Sequence, residues 1–388
     1  MKAGWETKKL GEVAEVIAGQ SPEGSFYNTL GNGLPFYQGK KGFGTRFVGS
    51  PTTWTTQVTK IALEGDVLMS VRAPVGPVNF ATQKSCIGRG LAAIRSRSTL
   101  DKNFLFYFLL SQQDEISGTE GAVFASINKN DIQQISVAVP SLSEQHRLVA
   151  LLDETFDSIA TAKAHAEKNL QNTRAVFDSH LEAVFRARWE TCELVTLAEA
   201  ATDISDGDHL PPPKSSTGVP FITISNIDKD THKVDFSDTF MVPLEYFQKL
   251  KPNKRPRRGD LLYTVTGSFG IPVIVEDDHD FCFQRHIGLI RPNPETDSKW
   301  LYYLLLSPQV FRQAEDGATG TAQKTVSLKV LRSLEVPRVS LPQQRADASA
   351  LEQLSIETQR LEALYRQKLT ALDELKKALL HQAFAGEL

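Results

Sequence analysis

Two long stretches of the chain carry apolar or small residues at helical spacing. The first runs from about Ser143 to Phe185 without a glycine or proline, and in the second a ladder with alternating steps of three and four runs from Leu351 to Leu379. This spacing predicts a coiled-coil seam, and about 40 helical residues make a rod of about 60 Å. Because neither rod can bury its seam alone, we expect the two to pack against each other in antiparallel orientation.

Shorter and mixed elements precede each long helix. Val67–Val71 and Leu261–Val265 alternate in the manner of half-buried strands, and Phe104–Leu110 and Trp300–Leu306 have the composition of short helices. Glycine and proline interrupt these runs and predict turns between them. Each half of the chain therefore begins with a compact α/β head.

The two halves repeat one another. Gly65-Asp66 matches Gly259-Asp260 at an offset of 194, and Leu152 matches Leu351 at an offset of 199. The predicted fold class is therefore α+β, with two tandem mixed α/β domains separated by two long antiparallel coiled-coil helices in a pseudo-two-fold internal repeat. The predicted boundaries are 1–140 and 189–340 for the two heads, and 141–188 and 341–388 for the two helices.

Composition narrows the class of protein. The chain has 388 residues, a net charge of −3 and three cysteines, and the cysteines are too few and too scattered for a disulfide framework or a structural zinc site. No run approaches the roughly 20 apolar residues of a membrane span, so we expect a cytoplasmic protein without a membrane partner. Charge is concentrated locally, since Lys249–Arg258 holds six lysines and arginines.

The sequence contains no recognisable catalytic constellation. The segment Gln38–Gly42 resembles a phosphate loop but lacks the correct glycine spacing and the Ser or Thr that would coordinate magnesium. The eight histidines show no paired metal spacing, and neither a serine elbow nor an Asn-Pro-Pro-aromatic segment for amine methylation occurs. These absences weigh against a self-contained methyltransferase or nuclease, and no metal or cofactor is expected on this chain.

Loops rich in glycine, aromatic residues and cations suggest contact with nucleic acid. Phe36–Phe47 has this composition, and Phe221–Asp230 occupies the corresponding place in the second half with different polar residues. Lys and Arg there would touch phosphates or base edges, with glycine permitting close approach. The candidate DNA contacts are Gln38, Lys40, Lys41, Arg46 and Arg72 in the first head and His209, Asn226, Lys254, Arg255, Arg257, Arg258 and Thr266 in the second.

Three segments resemble a known family. Val71–Phe80 with its flanking serine (SVRAPVGPVNF), Cys86–Ser96 (CIGRGLAAIRS) and Ala125–Asp153 are similar to the specificity subunit of type I restriction-modification enzymes. Asp206–Pro213 (DGDHLPPP) is similar to the opening of recognition domains in that family. The resemblance covers essentially the whole chain, including its duplicated layout.

The resemblance implies a function and a set of partners. Each head would be a target recognition domain that reads one half of a bipartite, asymmetric site in double-stranded DNA, while the helices set the gap and dock two methyltransferase subunits. Those subunits would bring S-adenosylmethionine, and restriction subunits would bring ATP and magnesium. An alternative stays open at this point, namely a non-catalytic coiled-coil adapter whose heads bind protein or carbohydrate.

Overall fold

The structure, a computed structural model, describes residues 4–116, 126–207, 209, 212–276, 278–320 and 323–388. It divides into two compact units. Unit 1 comprises residues 1–167 and 366–388, and unit 2 comprises residues 168–365. Two long helices, α5 (Leu142–Thr191) and α11 (Leu341–Ala385), each contribute one part to either unit. Their lengths of 50 and 45 residues correspond to about 75 and 68 Å of helix.

Unit 1 contains a mixed α/β head. Its strands are β1 (Glu6–Lys9), β2 (Ala14–Ala18), β3 (Tyr27–Asn28), β4 (Leu34–Tyr37), β5 (Trp54–Thr55), β6 (Ile61–Ala62), β7 (Val67–Ser70), β8 (Val78–Phe80), β9 (Ser85–Ile87), β10 (Leu91–Ser96) and β11 (Ser136–Val139). Its short helices are α1 (Leu10–Val13), α2 (Lys102–Ser111), α3 (Gln113–Ile116) and α4 (Lys129–Gln134). The strands form a four-stranded sheet in the order β2-β10-β7-β8, a five-stranded sheet β3-β5-β4-β9-β6 and the pair β1-β11.

Unit 2 repeats this plan with fewer strands in its second sheet. Its strands are β12 (Leu194–Thr196), β13 (Ala201–Asp206), β14 (Val219–Ile222), β15 (Ile227–Asp228), β16 (Lys233–Val234), β17 (Phe240–Val242), β18 (Leu261–Thr264), β19 (Pro272–Ile274), β20 (Cys282–Phe283), β21 (Ile287–Pro292) and β22 (Glu335–Pro337). Its short helices are α6 (Leu197–Ala200), α7 (Leu244–Lys249), α8 (Ser298–Leu306), α9 (Pro308–Gly317) and α10 (Leu328–Ser333). The sheets are β13-β21-β18-β19, β17-β14-β20, β15-β16 and β12-β22.

The central strands differ from their predicted burial. All four residues of β7 and all four of β18 are buried, so these strands are not half-buried. Val67 packs into the core that contains α2 and the long helices, whereas its neighbour Leu68 packs into a second core under the other sheet. Alternation along a strand between two apolar cores cannot be distinguished by sequence from alternation between core and solvent.

The repeated Gly-Asp and the later repeated glycine have structural roles. Asp66 is buried and accepts two hydrogen bonds of 2.9 Å from Arg95, and Asp260 receives bonds of 3.0 and 2.7 Å from Arg291. These hydrogen bonds raise the pKa of both arginines. The turns after β7 and β18 use Gly76 and Gly270 at φ of +106° and +95°, as their sequence predicts.

The long helices pack antiparallel within unit 1. Arg147 Nη2 donates to the carbonyl of Leu388 at 3.0 Å, and Lys163 Nζ lies 2.6 Å from Asp373 Oδ1. Residue numbers rise along α5 as they fall along α11, so the two helices run in opposite directions. Phe384, near the end of α11, packs edge-on against Phe104 of the head. The core of unit 1 is therefore completed by both helices.

The same arrangement occurs within unit 2. Arg188 donates two hydrogen bonds of 2.8 and 2.7 Å to Asp347, and Arg174 lies 3.2 Å from Glu362. Phe185, which is fully buried, packs against Trp300. The predicted antiparallel coiled coil is confirmed.

The seam is less continuous than its leucine ladder predicts. Leu351 is buried, but Leu361 is 40% and Leu375 45% exposed. Leu380 and Ala383 are buried instead. The ladder alone did not indicate where a head covers a helix and where only its partner helix does.

A buried glutamine joins each head to the start of a long helix. Gln145 Oε1 accepts from the backbone N–H of Asp101 at 2.7 Å, and its Nε2 donates to the carbonyls of Thr99 and Pro140. Gln344 makes the same contacts in unit 2, including a 2.7 Å bond from the N–H of Asp297. Asp101 and Asp297 in turn cap α2 and α8. These glutamines fix the angle at which each helix leaves its head.

Candidate nucleic-acid interface

Four chain segments meet at one edge of the unit 1 head, where β2, β4, β7 and β9 end. Gly90 N–H donates to the carbonyl of Gln38 at 3.1 Å, and Gly88 N–H donates to Tyr37 at 2.9 Å. The backbone N–H of Arg89 donates to Ser21 Oγ at 3.2 Å. We call residues 19–21, 38–41, 72 and 88–90 the loop edge of unit 1.

The unit 2 head has the same loop edge. Gln284 N–H donates to the carbonyl of Ile222 at 3.1 Å, and Val265 N–H donates to His286 at 2.9 Å, as Val71 does to Gly90 at 3.0 Å in unit 1. Residues 206, 207, 209, 223–226, 266 and 284–286 form this loop edge.

A glycine at the same place in both heads allows the backbone segments of the loop edge to pack closely. A Cβ added to Gly19 would lie 2.2 Å from the carbonyl oxygen of Gly88, and one added to Gly207 would lie 2.0 Å from that of Phe283. Backbone atoms cannot yield to such a contact. The loop edge is therefore a closely packed platform that tolerates no side chain at Gly19 or Gly207.

Four of the predicted unit 1 residues lie on this platform. Gln38, Lys40, Lys41 and Arg72 are all exposed. Lys40 and Lys41 begin a 3₁₀ turn that Gly39 separates from Gln38, and Ser21 Oγ lies within hydrogen-bond distance of Gln38 Oε1 at 3.3 Å. An amide and several cations on one surface can address base edges and phosphates together.

Arg46 does not belong to this group. Its Nη1 donates to Asp153 Oδ1 at 2.6 Å and to the Tyr107 hydroxyl, and its Nη2 donates to Asn103 Oδ1 at 3.2 Å. The guanidinium also lies 5.3–5.8 Å from the ring centres of Phe80, Phe106 and Tyr107. We call these residues the Arg46 clamp. The charge and hydrogen bonds of Arg46 are engaged internally between head and helix, so the structure does not favour the predicted contact of Arg46 with DNA.

In unit 2 His209 lies on the loop edge, and Lys254 contacts the loop edge through its side chain. His209 Nε2 lies 2.8 Å from Asp206 Oδ2, and Lys254 Nζ donates to the carbonyl of Gly207 at 3.0 Å. Residues Asp208, Leu210 and Pro211, which belong to the motif that resembles the family, lie outside the described residues.

For three other predicted unit 2 contacts the structure shows side chains that are buried or engaged internally, which does not favour contact with DNA. Asn226 is buried, and its amide bonds Thr223, Asp235 and Asp238. Thr266 is buried beside Thr325. Arg255 donates to the carbonyls of Leu250 and Gln248 at the end of α7 and covers the ring of Phe247.

Arg257 and Arg258 are exposed but lie away from the loop edge. They precede β18, whereas Thr266 follows it, and a four-residue strand separates such positions by about 13 Å. With Arg291 and Arg345 they line a cleft of about 380 Å³ near the start of α11. The basic run Lys249–Arg258 is therefore divided between two surfaces.

Comparison with known proteins agrees with this arrangement. The sequence profile described as the type I restriction modification DNA specificity domain matches residues 2–171 and 188–371, one match for each half of the chain. The chain belongs to this family. It is a DNA specificity subunit of the type I restriction-modification class, and nothing in the comparisons supports a coiled-coil adapter.

Some relatives match nearly the whole chain, and another matches less than half of it. The type I restriction enzyme MjaVIII specificity subunit of Methanocaldococcus jannaschii is 21% identical over 99% of this chain and 93% of its own. The EcoBI specificity subunit of Escherichia coli is also 21% identical, over 99% of this chain and 86% of its own. A putative MjaX specificity subunit of M. jannaschii is 40% identical, but over only 42% of this chain and 39% of its own.

Solved structures share the fold. A chain from a study of complex assembly and conformational transition in a type I R-M system superposes with a TM-score of 0.82 at 20% identity, covering 100% of this chain and 99% of its own. The HsdS subunit from Thermoanaerobacter tengcongensis gives 0.66, also at 20% identity, with 100% and 98% covered.

The sequence analysis did not name Arg89 and Arg285, which lie on the two loop edges of this specificity subunit. Both are exposed. Arg89 follows β9, which pairs in parallel with β4, and Arg285 follows β20, which pairs in parallel with β14. The signal was present in the sequence, because the two arginines match each other at an offset of 196, as Leu91 matches Ile287. Each loop edge therefore has an exposed arginine at the same place.

Other chemistry is not evident on the described residues. No group of three or more His, Cys, Asp and Glu side chains lies close enough there to hold a metal ion. Among the same residues, no helix combines the length and hydropathy needed to cross a bilayer.

Proposed function

We propose that each head reads one half of a bipartite, asymmetric DNA target. The observation that carries this proposal is the repetition of one closely packed loop edge with different side chains. Unit 1 presents Gln38, Lys40, Lys41 and Arg72, whereas unit 2 presents His209 and Lys254. A common frame with unlike side chains suits two unlike half-sites, because sequence is read by the groups that reach base edges.

The shared arginines have a different part in this proposal. Arg89 and Arg285 occupy equivalent positions, so they are suited to a base contact common to both halves, such as a guanine. The unshared residues then supply the difference between the half-sites. Arg257 and Arg258, away from the loop edge, are assigned to phosphates.

The two long helices set the gap between the half-sites and dock two methyltransferase subunits. In this proposal the chain itself is not catalytic, acts in the cytoplasm and binds no cofactor. S-adenosylmethionine belongs to the methyltransferase subunits, and ATP and magnesium belong to restriction subunits. Because both heads must face one groove surface, we expect half-sites about one helical turn apart, or 10 to 10.5 base pairs from centre to centre.

The experiment is to co-express the chain with its methyltransferase subunits in a host that lacks adenine methylation and to map N6-methyladenine by single-molecule sequencing. A single split motif with unlike halves is the expected result. A continuous motif, or a stable complex that methylates nothing, contradicts the proposal.

A further inference from the structure

A cleft of about 460 Å³ opens within unit 2, between α8, the β15-β16 hairpin and α11. Its walls combine the rings of Tyr302 and Tyr303 with the carboxylates of Glu276 and Glu352. The volume lies within the range of pockets that hold small ligands or single side chains. The cleft has no part in the proposed reading of DNA.

The cleft is the counterpart of the place that Arg46 fills in unit 1. The Arg46 clamp surrounds the guanidinium with Phe80, Asn103, Phe106, Tyr107 and Asp153. Their counterparts in the internal repeat are, in the same order, Ile274, Lys299, Tyr302, Tyr303 and Glu352, and all five line the cleft. One copy of the fold thus has an arginine in this position and the other has an open space.

No arginine among the described residues lines the cleft. The end of the β15-β16 hairpin lies beside it and brings His232 to 6.0 Å from Tyr302, ring centre to ring centre. Burial lowers the pKa of His232, against the opposing effect of the carbonyls of Lys229 and Pro272. His232 narrows the space without supplying a guanidinium.

We propose that this cleft binds the arginine side chain of a partner polypeptide. Aromatic faces attract a planar guanidinium, which also donates hydrogen bonds in pairs to a carboxylate, and a compact ammonium does both less well. Glu276 is exposed and forms no ion pair with any residue in the described part of the chain. Two lysines, Lys233 and Lys299, line the cleft beside Glu276 and Glu352, so the aromatic faces and the free Glu276 carboxylate, rather than the net charge, favour a guanidinium over a phosphate.

Lys299 competes with an incoming arginine for the carboxylate of Glu352. Its Nζ lies 2.5 Å from Glu352 Oε1, where the counterpart residue in unit 1, Asn103, carries no charge. The two side chains are 56% and 40% exposed, so water screens the pair and an incoming guanidinium can replace the ammonium. Removal of Lys299 should therefore strengthen binding of a cation, whereas it would weaken binding of an anion.

The cleft lies at the opposite end of the sheet from the loop edge. Ile274 pairs with Leu261 at the start of β18, whereas Thr264, at the end of that strand, pairs with Ile287 beside the loop edge. An arginine in the cleft would consequently not compete with DNA at the loop edge.

The experiment uses the full chain without DNA and N-acetylarginine amide as the probe. Binding is followed by the ¹³C-methyl resonances of Ile274 and Ile356, two isoleucines of the cleft. N-acetylcitrulline amide, which has nearly the same shape but no charge, is the ligand control. We expect a saturable shift with the arginine probe at millimolar concentration and at least tenfold weaker binding of the citrulline probe.

Three variants decide the identity of the site. Glu352→Gln should weaken arginine binding at least tenfold, and Lys299→Met should strengthen it severalfold. Glu357→Gln, on the same helix but outside the cleft, is the matched control and should leave binding unchanged. Equal shifts with both probes, or weaker binding by Lys299→Met, would overturn the proposal even if Glu352→Gln failed to fold. Because no DNA is present, neither result depends on how the two heads read their target.

Discussion

Replacement of Arg46 by alanine should destabilise unit 1 without altering the DNA target. The ion pair with Asp153 joins side chains that are 31% and 38% exposed, so we assign it about 1 kcal/mol after screening by water. Each of the three ring contacts adds about 0.5 kcal/mol. The expected loss is therefore about 2.5 kcal/mol.

The assay is native-state hydrogen exchange of the full chain, read for each helix separately. A loss of about 2.5 kcal/mol corresponds to about 60-fold faster exchange for those amides of α2 that exchange through opening of unit 1. The amides of α8, its repeat in unit 2, should not change and serve as an internal control. Arg46→Lys should lose roughly half as much, since it keeps the charge but not the planar contact with the rings.

A double-mutant cycle with Asp153→Asn tests the contact itself. We expect a coupling of about 1 kcal/mol between the two substitutions. The reasoning fails if α2 exchanges at the same rate in Arg46→Ala while affinity for the target DNA collapses. Arg46 would then be a DNA contact, as its position in a basic loop first indicated.

Further predictions concern the phosphate contacts, the buried glutamines and the long helices. Arg257→Ala with Arg258→Ala should weaken binding to all DNA sequences and reduce the slope of log K against log salt by about 2, measured by fluorescence anisotropy, with an unchanged slope as the contrary result. Gln145→Met and Gln344→Met should each lower the stability of their own unit by roughly 2–4 kcal/mol, because buried partners lose their hydrogen bonds. Hydrogen exchange measures this loss, and faster exchange in the other unit would contradict the prediction. Deletion of seven residues from each long helix should shorten the gap by about three base pairs in the methylation map and leave the half-sites intact, whereas a constant gap would exclude the helices as spacers.

Much of the fold could be predicted from the sequence because the two halves of the chain repeat the same pattern of residues. Matches such as Asp66 with Asp260 mark positions where burial and hydrogen bonding leave little choice of residue. The long helices are evident from spacing because a coiled-coil seam requires apolar residues at regular intervals. What sits against each turn of those helices depends on the heads, and for this reason the exposure of Leu361 and Leu375 was not predictable.

The interface was less predictable because the composition of a loop does not show which way each of its side chains points. Arg46 and Lys41 stand five residues apart in one basic loop, yet Arg46 points to a carboxylate on α5 and Lys41 is exposed. Arg255 and Arg258 are likewise three residues apart and differ in the same way. Arg89 was missed because it stands in a glycine turn without other cations, and only its match with Arg285 gives it weight.

The central claim is that two equivalent loop edges read two different half-sites. Methylation maps of the complex with Arg89→Ala and with Arg285→Ala, compared with the unaltered chain in the same host, test it most directly. The account predicts that each substitution relaxes or weakens recognition in one half of the motif and that the two affect opposite halves. Loss of the same half in both variants, or a uniform decrease with no change of motif in either, would contradict it.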